Sequence, residues 1–305
     1  MGDVKLFKLN NEMAYELYGE SMAIEKSLQT VIENNSENLL GISFLASEYS
    51  TGKKHAGRID TLGIDENYSP VILEYKRATN ENVINQGLFY LDWLMDHKAE
   101  FELLVMKKLN TNTADKIDWQ TPRLLCIAGG FTKYDAHAVQ QINRNIELYR
   151  YKQFEENLFM LDLVNASTLH KEKTIINKKT NPDFDKDTSI ISENINKANQ
   201  QINDLYNEIY NYLLALSDDV QVKELKFYIA FKRIKNFVCI EVLPSQNKIL
   251  LYIKVNLDSV KLEKGFTRDV TNIGHYGTGN LSITIKDNND FEKAKPYILE
   301  SYNNN

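Results

Sequence analysis

Two acidic residues and a lysine lie on a segment that is typical of a β-hairpin. Residues 59–64 and 71–76 either alternate between apolar and polar side chains or are continuously apolar, which is typical of β-strands. The residues between them favour a turn. A turn centred between the two runs places Asp60 directly opposite Glu74. Side chains opposite each other on one face of a sheet have Cβ atoms about 5 Å apart. Lys76 shares that face because side chains alternate along a strand.

The hairpin is therefore expected to gather Asp60, Glu74 and Lys76 into one small patch. Two carboxylates at this separation repel each other and destabilise a sheet unless something compensates their charge. A hard divalent cation held by oxygen ligands is the natural compensation. The spacing thus predicts a metal site.

An Asp, a hairpin and then Glu-x-Lys is a pattern that resembles the core of the PD-(D/E)xK nuclease superfamily. The stretches GRID (57–60) and EYK (74–76) are similar in particular to the archaeal and actinobacterial endonucleases that cut mismatched or branched DNA. The resemblance covers residues 20–165. The N-terminal dimerisation domain of those mismatch endonucleases has no counterpart in this sequence, so their substrate preference is not carried over.

Three flanking features extend the resemblance. Residues 25–41 look like the leading helix of that group, in which Glu25 would help to bind metal. The pair 48–49 resembles the acidic-aromatic step before the hairpin. Gln86 and Tyr90 stand where the family carries a helix with a Gln-x-x-x-Tyr motif.

Two of these residues also have an ordinary structural interpretation. Ser21 is a plausible N-cap of the leading helix, so Glu25 is also a first-turn glutamate favoured by the helix dipole. Gln86 and Tyr90 are one helical turn apart and share a face, and Gln86 is also suited to a hydrogen bond with the sheet edge. The sequence leaves both interpretations open.

The resemblance implies a Mg²⁺-dependent endonuclease, with Mn²⁺ as a substitute cation. Asp60 and Glu74 would bind the metal together with the main-chain carbonyl of Tyr75, and Glu25 would join directly or through water. Lys76 would orient the attacking water or stabilise charge on the phosphate. The predicted catalytic residues are Asp60, Glu74, Lys76, Gln86 and Glu25.

A group of basic residues surrounds the hairpin and predicts contacts with substrate phosphates. Lys54 and Arg58 precede the first strand, and Arg77 follows the second. With Tyr90 they form the predicted substrate-binding set. Lysines at a strand edge also discourage aggregation, and this second interpretation of Lys54 stays open.

Composition narrows the function classes. The net charge of −6 argues against a generic, strongly basic nucleic-acid binder but not against a nuclease with cations near its cleft.

No apolar run reaches the about 18 residues of a membrane span, and the start of the sequence has no signal-peptide pattern. Cys126 and Cys239 lie in apolar runs of different halves, which favours buried thiols over a zinc site. We expect a cytoplasmic protein with no membrane partner, and the resemblance allows a homodimer.

The order of predicted elements gives an α/β fold class: a restriction-endonuclease-like core with a mixed central sheet flanked by helices, plus a small C-terminal α+β domain. The predicted boundaries are 1–168 for the nuclease-like domain, 169–200 for a polar linker, and 201–305 for the α+β domain. Within the last, residues 222–233 read as one strand of a meander.

A glycine-rich segment in the C-terminal half resembles part of an uncharacterised domain that follows such nuclease domains in proteins labelled predicted transport protein. Its Arg268, Asp269, His275 and Tyr276 indicate a ligand or nucleic-acid contact loop. The competing interpretation is a glycine-rich connection stiffened by an Arg–Asp pair. No membrane span or pump motif supports a transport role.

The leading prediction is a metal-dependent nuclease acting on DNA, in repair or in defence against foreign DNA. The alternative is a catalytically silent protein that binds nucleic acid or a partner on a nuclease fold. A soluble transport accessory is a distant third.

Overall fold

A computed structural model describes residues 4–52, 56–77, 82–167 and 189–305. The chain divides into two compact units, Met1–Glu172 and Lys173–Asn305, and each is described by itself. The predicted substrate contact Lys54 lies outside the described residues.

The elements of the first unit are strands β1 (Leu6–Asn10), β2 (Met13–Leu17) and β3 (Gly19–Glu20), helix α1 (Glu25–Leu40), strands β4 (Ile42–Ser50), β5 (Arg58–Asp65) and β6 (Pro70–Lys76), helices α2 (Asn82–Asp96), α3 (Lys98–Lys108) and α4 (Thr111–Ala114), strand β7 (Arg123–Ala128), helix α5 (Lys133–Gln141), and strands β8 (Asn145–Phe154) and β9 (Leu158–Ser167). Strands β1 and β2 pair only with each other among these elements.

The main sheet of this unit is mixed, as predicted. Its strand order is β3-β8-β7-β6-β5-β4, with β9 also paired to β8. The hairpins β4–β5 and β5–β6 are antiparallel, whereas β6–β7 and β7–β8 are parallel. Parallel neighbours need crossover connections, and α2 to α4 and then α5 supply them. The unit is therefore an α/β fold.

Helices α1 and α2 lie on opposite faces of this sheet, since successive strand side chains point to opposite sides. Leu62 and Ile72 are fully buried in a core with Leu91 and Leu94 of α2. On the other face, the Thr61 hydroxyl reaches a glutamate of α1. The two faces thus carry an apolar core and a more polar contact with α1.

Helix α1 begins differently from the prediction. Its first residue is Glu25, its N-cap is Ile24, and the cap makes no side-chain hydrogen bond. Ser21 is therefore not the cap. The helix ends at Gly41, whose φ of 65° is left-handed, and the Gly41 N–H donates to the Glu37 carbonyl at 3.0 Å. Glycine suits this C-cap because it carries no Cβ.

One buried ionic cluster fixes the turn between β5 and β6. Asp65 Oδ1 accepts the N–H groups of Asn67 at 2.9 Å and Ser69 at 2.8 Å, which closes the turn. Asp65 Oδ2 accepts from Arg123 Nη1 at 2.9 Å. The same guanidinium donates to both carboxylate oxygens of Glu147, at 2.7 and 2.8 Å. The turn sets the register of the hairpin, so this cluster acts on everything along it.

The elements of the second unit are helices α6 (Ile190–Lys197) and α7 (Gln200–Leu214), strands β10 (Gln221–Glu224), β11 (Ile229–Lys232), β12 (Asn236–Leu243), β13 (Lys248–Ile253), β14 (Thr267–Asp269) and β15 (Leu281–Ile285), helix α8 (Asn288–Asn304), and 3₁₀ turns at Pro244–Gln246 and Leu257–Ser259. The strands form an antiparallel sheet in the order β10-β11-β12-β13-β15-β14.

Two boundaries that the sequence predicts differ from those of the structure in this unit. The end of the predicted linker 169–200 is helix α6, whose Ile191 is fully buried in the core of the unit. The predicted single strand 222–233 is a hairpin of β10 and β11, because the Leu225 N–H donates to the Tyr228 carbonyl at 2.9 Å and closes a turn between them. Helices α6, α7 and α8 all contribute to one apolar core on one face of the sheet.

Replacing Arg123 with Ala is expected to destabilise the first unit by about 3–5 kcal/mol, because two buried carboxylates lose their shared cation. Urea unfolding measures this change in free energy. Arg144→Ala, which removes an exposed arginine of the same unit, is the matched control and is expected to have little effect. Equal stability of the two variants would contradict the structural role of the cluster.

Candidate functional site

The candidate site lies where the ladder between β5 and β6 opens. The last paired residues are Thr61 and Leu73, so the next positions, Asp60 and Glu74, face each other as predicted. Carboxylates replace backbone acceptors from this point. The Asp60 N–H donates to Glu74 Oε1 at 3.2 Å, and the Tyr75 N–H donates to Asp60 Oδ2 at 3.0 Å. Both carboxylates therefore lie between the diverging strand ends.

Glu74 is the more deeply buried of the two acids. It is 0% exposed, and its Oε2 atom has no hydrogen-bond partner among the residues that the structure describes. Burial, and then the neighbouring Asp60 carboxylate, raise the pKa of Glu74 to about 9. Burial also raises the pKa of Asp60, against the opposing effects of the Tyr75 N–H and Lys76. The surroundings of the pair therefore favour the protonated form of each acid over its charged form.

Glu25 and Lys76 lie against each other at the edge of this pair. Lys76 Nζ is 3.2 Å from Glu25 Oε1, and the Arg77 N–H donates to Glu25 Oε2 at 3.2 Å. Both oxygens of Glu25 are therefore engaged. Among the described residues, no three His, Cys, Asp or Glu side chains are grouped so as to hold a metal ion. The structure brings together two of the three predicted acidic ligands and places Glu25 on the lysine instead.

Gln86 and Tyr90 of α2 hold the start of β5. The Tyr90 hydroxyl accepts the Arg58 N–H at 3.2 Å, and Gln86 Nε2 donates to the same hydroxyl at 3.4 Å. A Cβ on Gly57 would lie 2.6 Å from the Tyr90 ring, so glycine is needed for this close approach. Gln86 thus reaches the site through Tyr90, not through a direct contact with the carboxylates.

The two predicted substrate-binding arginines differ in their ion pairs. Arg58 Nε is 2.5 Å from Glu48 Oε2, and Lys26 Nζ is 3.3 Å from Glu48 Oε1. The exposed Arg77 side chain makes no ion pair with the residues that the structure describes. Arg58 is therefore partly neutralised by Glu48, whereas Arg77 keeps its charge for another partner.

Helix α1 also supports the site through residues that the sequence did not single out. Gln29 Nε2 lies 2.8 Å from the Asp60 carbonyl oxygen, 2.9 Å from Glu33 Oε1 and 3.1 Å from Ser47 Oγ, and its two N–H groups are shared among these acceptors. The Thr61 hydroxyl donates to Glu33 Oε1 at 2.5 Å. The available signal was a Gln and a Glu four residues apart on the side of α1 that borders its apolar stripe.

Residues 191–305 match a family described as a domain of unknown function, DUF5655. An uncharacterized protein from Haemophilus influenzae is 27% identical over 305 residues, covering 98% of this chain and 99% of the relative.

Two solved structures share a distant likeness with the chain. A repair endonuclease from Pyrococcus abyssi has a TM-score of 0.29 and 17% identity, over 43% of this chain and 48% of the other. A complex of EndoMS with double-stranded DNA has a TM-score of 0.25 and 18% identity, over 43% of this chain and 47% of the other. The chain thus spans less than half of either endonuclease.

No helix within the described part of the chain combines the length and the apolar character needed to cross a membrane.

The raised pKa of Glu74 predicts a pH-dependent stability in the absence of divalent cations. An acid whose pKa rises on folding, here from 4.5 to about 9, stabilises the fold at low pH, and this stabilisation is lost as the pH rises between the two values. Glu74→Gln removes the titration. Relative to the wild type, this variant should gain up to about 1.4 kcal/mol per pH unit in that window.

Urea unfolding in EDTA at several pH values measures the difference. Glu37→Gln, an exposed glutamate of α1, is the control and should follow the wild type at every pH. A stability difference between Glu74→Gln and the wild type that does not change with pH would refute the assignment of Glu74 as a buried, protonated acid.

Proposed function

We propose that this protein is a metal-dependent nuclease that hydrolyses phosphodiester bonds in DNA. The observation that carries the proposal is the buried Glu74 Oε2 atom, which lies beside the Asp60 carboxyl group and has no hydrogen-bond partner among the described residues. A buried polar atom without a partner costs free energy. A cation held by the two acids would let Glu74 ionise, satisfy that oxygen and offset the repulsion of the two charges, so the residues present fit a metal ion.

The donor set favours a hard cation. Asp60 and Glu74 offer carboxylate oxygens, which suit Mg²⁺ and Mn²⁺. Cys126 pairs with Glu74 across β6 and β7, but burial raises the pKa of its thiol, which disfavours the thiolate that a soft metal would need. The Tyr75 carbonyl is the proposed third ligand. When bound, the ion would lower the pKa of a water molecule and offset negative charge on the phosphate.

Lys76 is suited to act on the reacting phosphate. Its side chain is mostly buried beside the carboxylates and is oriented by the carboxylate of Glu25 at 3.2 Å. A lysine held in this way offers N–H donors and a fixed positive charge to developing negative charge on a phosphate. Glu25 thus has the role of a positioning residue for Lys76.

Other groups would hold and orient the substrate. Arg77 offers an exposed guanidinium next to Lys76, and Arg58 lies at the start of β5 on the same hairpin. Guanidinium groups bind phosphate oxygens and position a nucleic acid without reading its sequence. Tyr90 and Gln86 would act indirectly, because they fix the Arg58 backbone and hence the strand that carries Asp60.

A second candidate function is nucleic-acid or partner binding without catalysis. Two ion pairs favour it. Glu25 pairs with Lys76, which leaves only Asp60 and Glu74 as acidic metal ligands among the predicted three. Glu48 pairs with Arg58, which weakens the positive charge available for phosphates. The two functions differ in whether divalent cations produce cleavage.

The proposal predicts cleavage of DNA that depends on Mg²⁺ or Mn²⁺. Plasmid, linear, branched and single-stranded DNA would be incubated with the wild type, Asp60→Ala and Lys76→Ala. Asp60→Ala removes a proposed ligand and Lys76→Ala removes the proposed phosphate contact, so each should reduce the rate by at least about 100-fold.

Matched controls separate this effect from general changes in charge. Asp115→Ala and Lys107→Ala remove exposed residues of the same unit and should cleave as the wild type does. Cleavage that persists in EDTA, or that survives in both site variants, would overturn the proposal. Binding of DNA without any cleavage would favour the second candidate.

A further inference from the structure

A loop of the second unit covers part of the sheet face that the helices leave open. The helices pack on one face of this sheet. On the other face, a small buried cluster contains Tyr228, Cys239, Tyr252 and Val270. Val270 begins the connection from β14 to β15, residues 270–280, which we call the β14–β15 loop. The glycine-rich segment noted in the sequence is therefore a structured element on the sheet.

Two glycines fix the shape of this loop. Gly277 has a φ of 79°, and a Cβ there would lie 2.6 Å from Cys239 Cβ. Gly279 has a φ of 156°, and a Cβ there would lie 2.6 Å from the Ile253 nitrogen. Backbone this close to the sheet, in conformations that favour glycine, holds the residues between and before them in place.

The loop presents two rings, of which one stacks on a ring of the sheet and the other on a ring of the turn between β10 and β11. His275 lies parallel to Tyr252 with centroids 4.5 Å apart and an angle of 9°. Tyr276 lies parallel to Phe227 at 4.4 Å and 14°. Tyr276 is still 44% exposed, so this second stack is accessible to solvent.

Cations lie on both sides of the stacked rings. Lys226 Nζ is 5.3 Å from the centroid of the Phe227 ring. On the other side, Tyr252 pairs with Ser282, and Ser282 pairs with Arg268, so Arg268 stands two strands from Tyr252, about 10 Å away. The surface therefore runs from a lysine, across two stacks, to an arginine.

Arg268 has its charge available for a ligand. It is exposed, and its side chain makes no hydrogen bond or ion pair within the described residues. Asp269 instead accepts the Thr271 N–H at 2.9 Å. The Arg–Asp pair that the competing sequence interpretation required is thus not formed. Acidic groups are also present, since Glu241 accepts from the Tyr252 hydroxyl at 2.9 Å.

We infer that the β14–β15 loop, with Phe227, Lys226 and Arg268, is a contact surface for single-stranded nucleic acid. Exposed aromatic rings bind bases of any sequence, and flanking cations bind the phosphates between them. The choice of nucleic acid as the ligand rests on the proposed nuclease function.

The test is fluorescence anisotropy with the full chain carrying Asp60→Ala, in EDTA, so that binding is measured without cleavage. The probes are a labelled oligothymidylate and an oligouridylate, which separate DNA from RNA. Adding Tyr276→Ala should raise the dissociation constant roughly tenfold, whereas Tyr276→Phe keeps the ring and should preserve binding. Adding Arg268→Ala should reduce the slope of log affinity against log salt by about 0.7.

Two variants on the helical side of the unit serve as controls. Leu299→Ala removes a side chain that is 40% exposed, and Lys197→Ala removes a surface cation. Both should bind as the parent does. Photocrosslinking of an iodouridine oligonucleotide should also label the peptide that contains Tyr276.

Unchanged affinity in Tyr276→Ala, with no crosslink to the loop, would overturn the inference and leave the face to a protein partner. This outcome is independent of catalysis. A wild type that fails to cleave DNA while Tyr276→Ala still loses affinity would reject the nuclease proposal alone.

Discussion

Two carboxylates share the opening between β5 and β6, and the surrounding structure is arranged to keep them there. Asp60 and Glu74 replace backbone acceptors at the point where the ladder ends. The turn that sets their register is closed by Asp65, which in turn is held by the buried Arg123. An ion pair far along the strand thus determines which side chains meet at its end.

Helices on both faces limit how far the two strands can move. Gln29 of α1 donates to the Asp60 carbonyl from one side, and Tyr90 of α2 accepts the Arg58 N–H from the other. This rigidity matters because Glu74 is buried and one of its oxygens has no partner in the described part of the chain. Loosely held strands would relieve this state by exposing the acid to water. Groups held in an unfavourable state by a rigid frame are typical of functional sites.

The sequence was informative wherever local pattern determines geometry. The turn-rich stretch and the alternation of its flanks were enough to place Asp60 opposite Glu74, because register in a hairpin follows from its turn. The α/β class followed from the order of the elements. The side-chain partners of Glu25 were not predictable, because its contact with Lys76 joins the start of α1 to the end of β6, which no local pattern specifies.

Other differences have local causes. Residues 222–233 were read as one strand because the apolar pattern continues through Leu225 and Phe227, although the chain turns there. Ser21 was expected to cap α1, but the chain forms the short strand β3 first and the helix begins at Glu25. The function of Gln29 depends on a contact between distant segments and was likewise out of reach.

Binding of a divalent cation by the carboxylate pair can be measured by calorimetric titration of the metal-free protein with Mn²⁺. At pH 7, we expect the wild type to bind Mn²⁺ and to release about one proton, because a bound cation requires Glu74 to ionise. Glu74→Gln should bind much more weakly and release none. Failure of the wild type to bind Mn²⁺, or equal binding by both proteins, would rule out a cation site at Asp60 and Glu74.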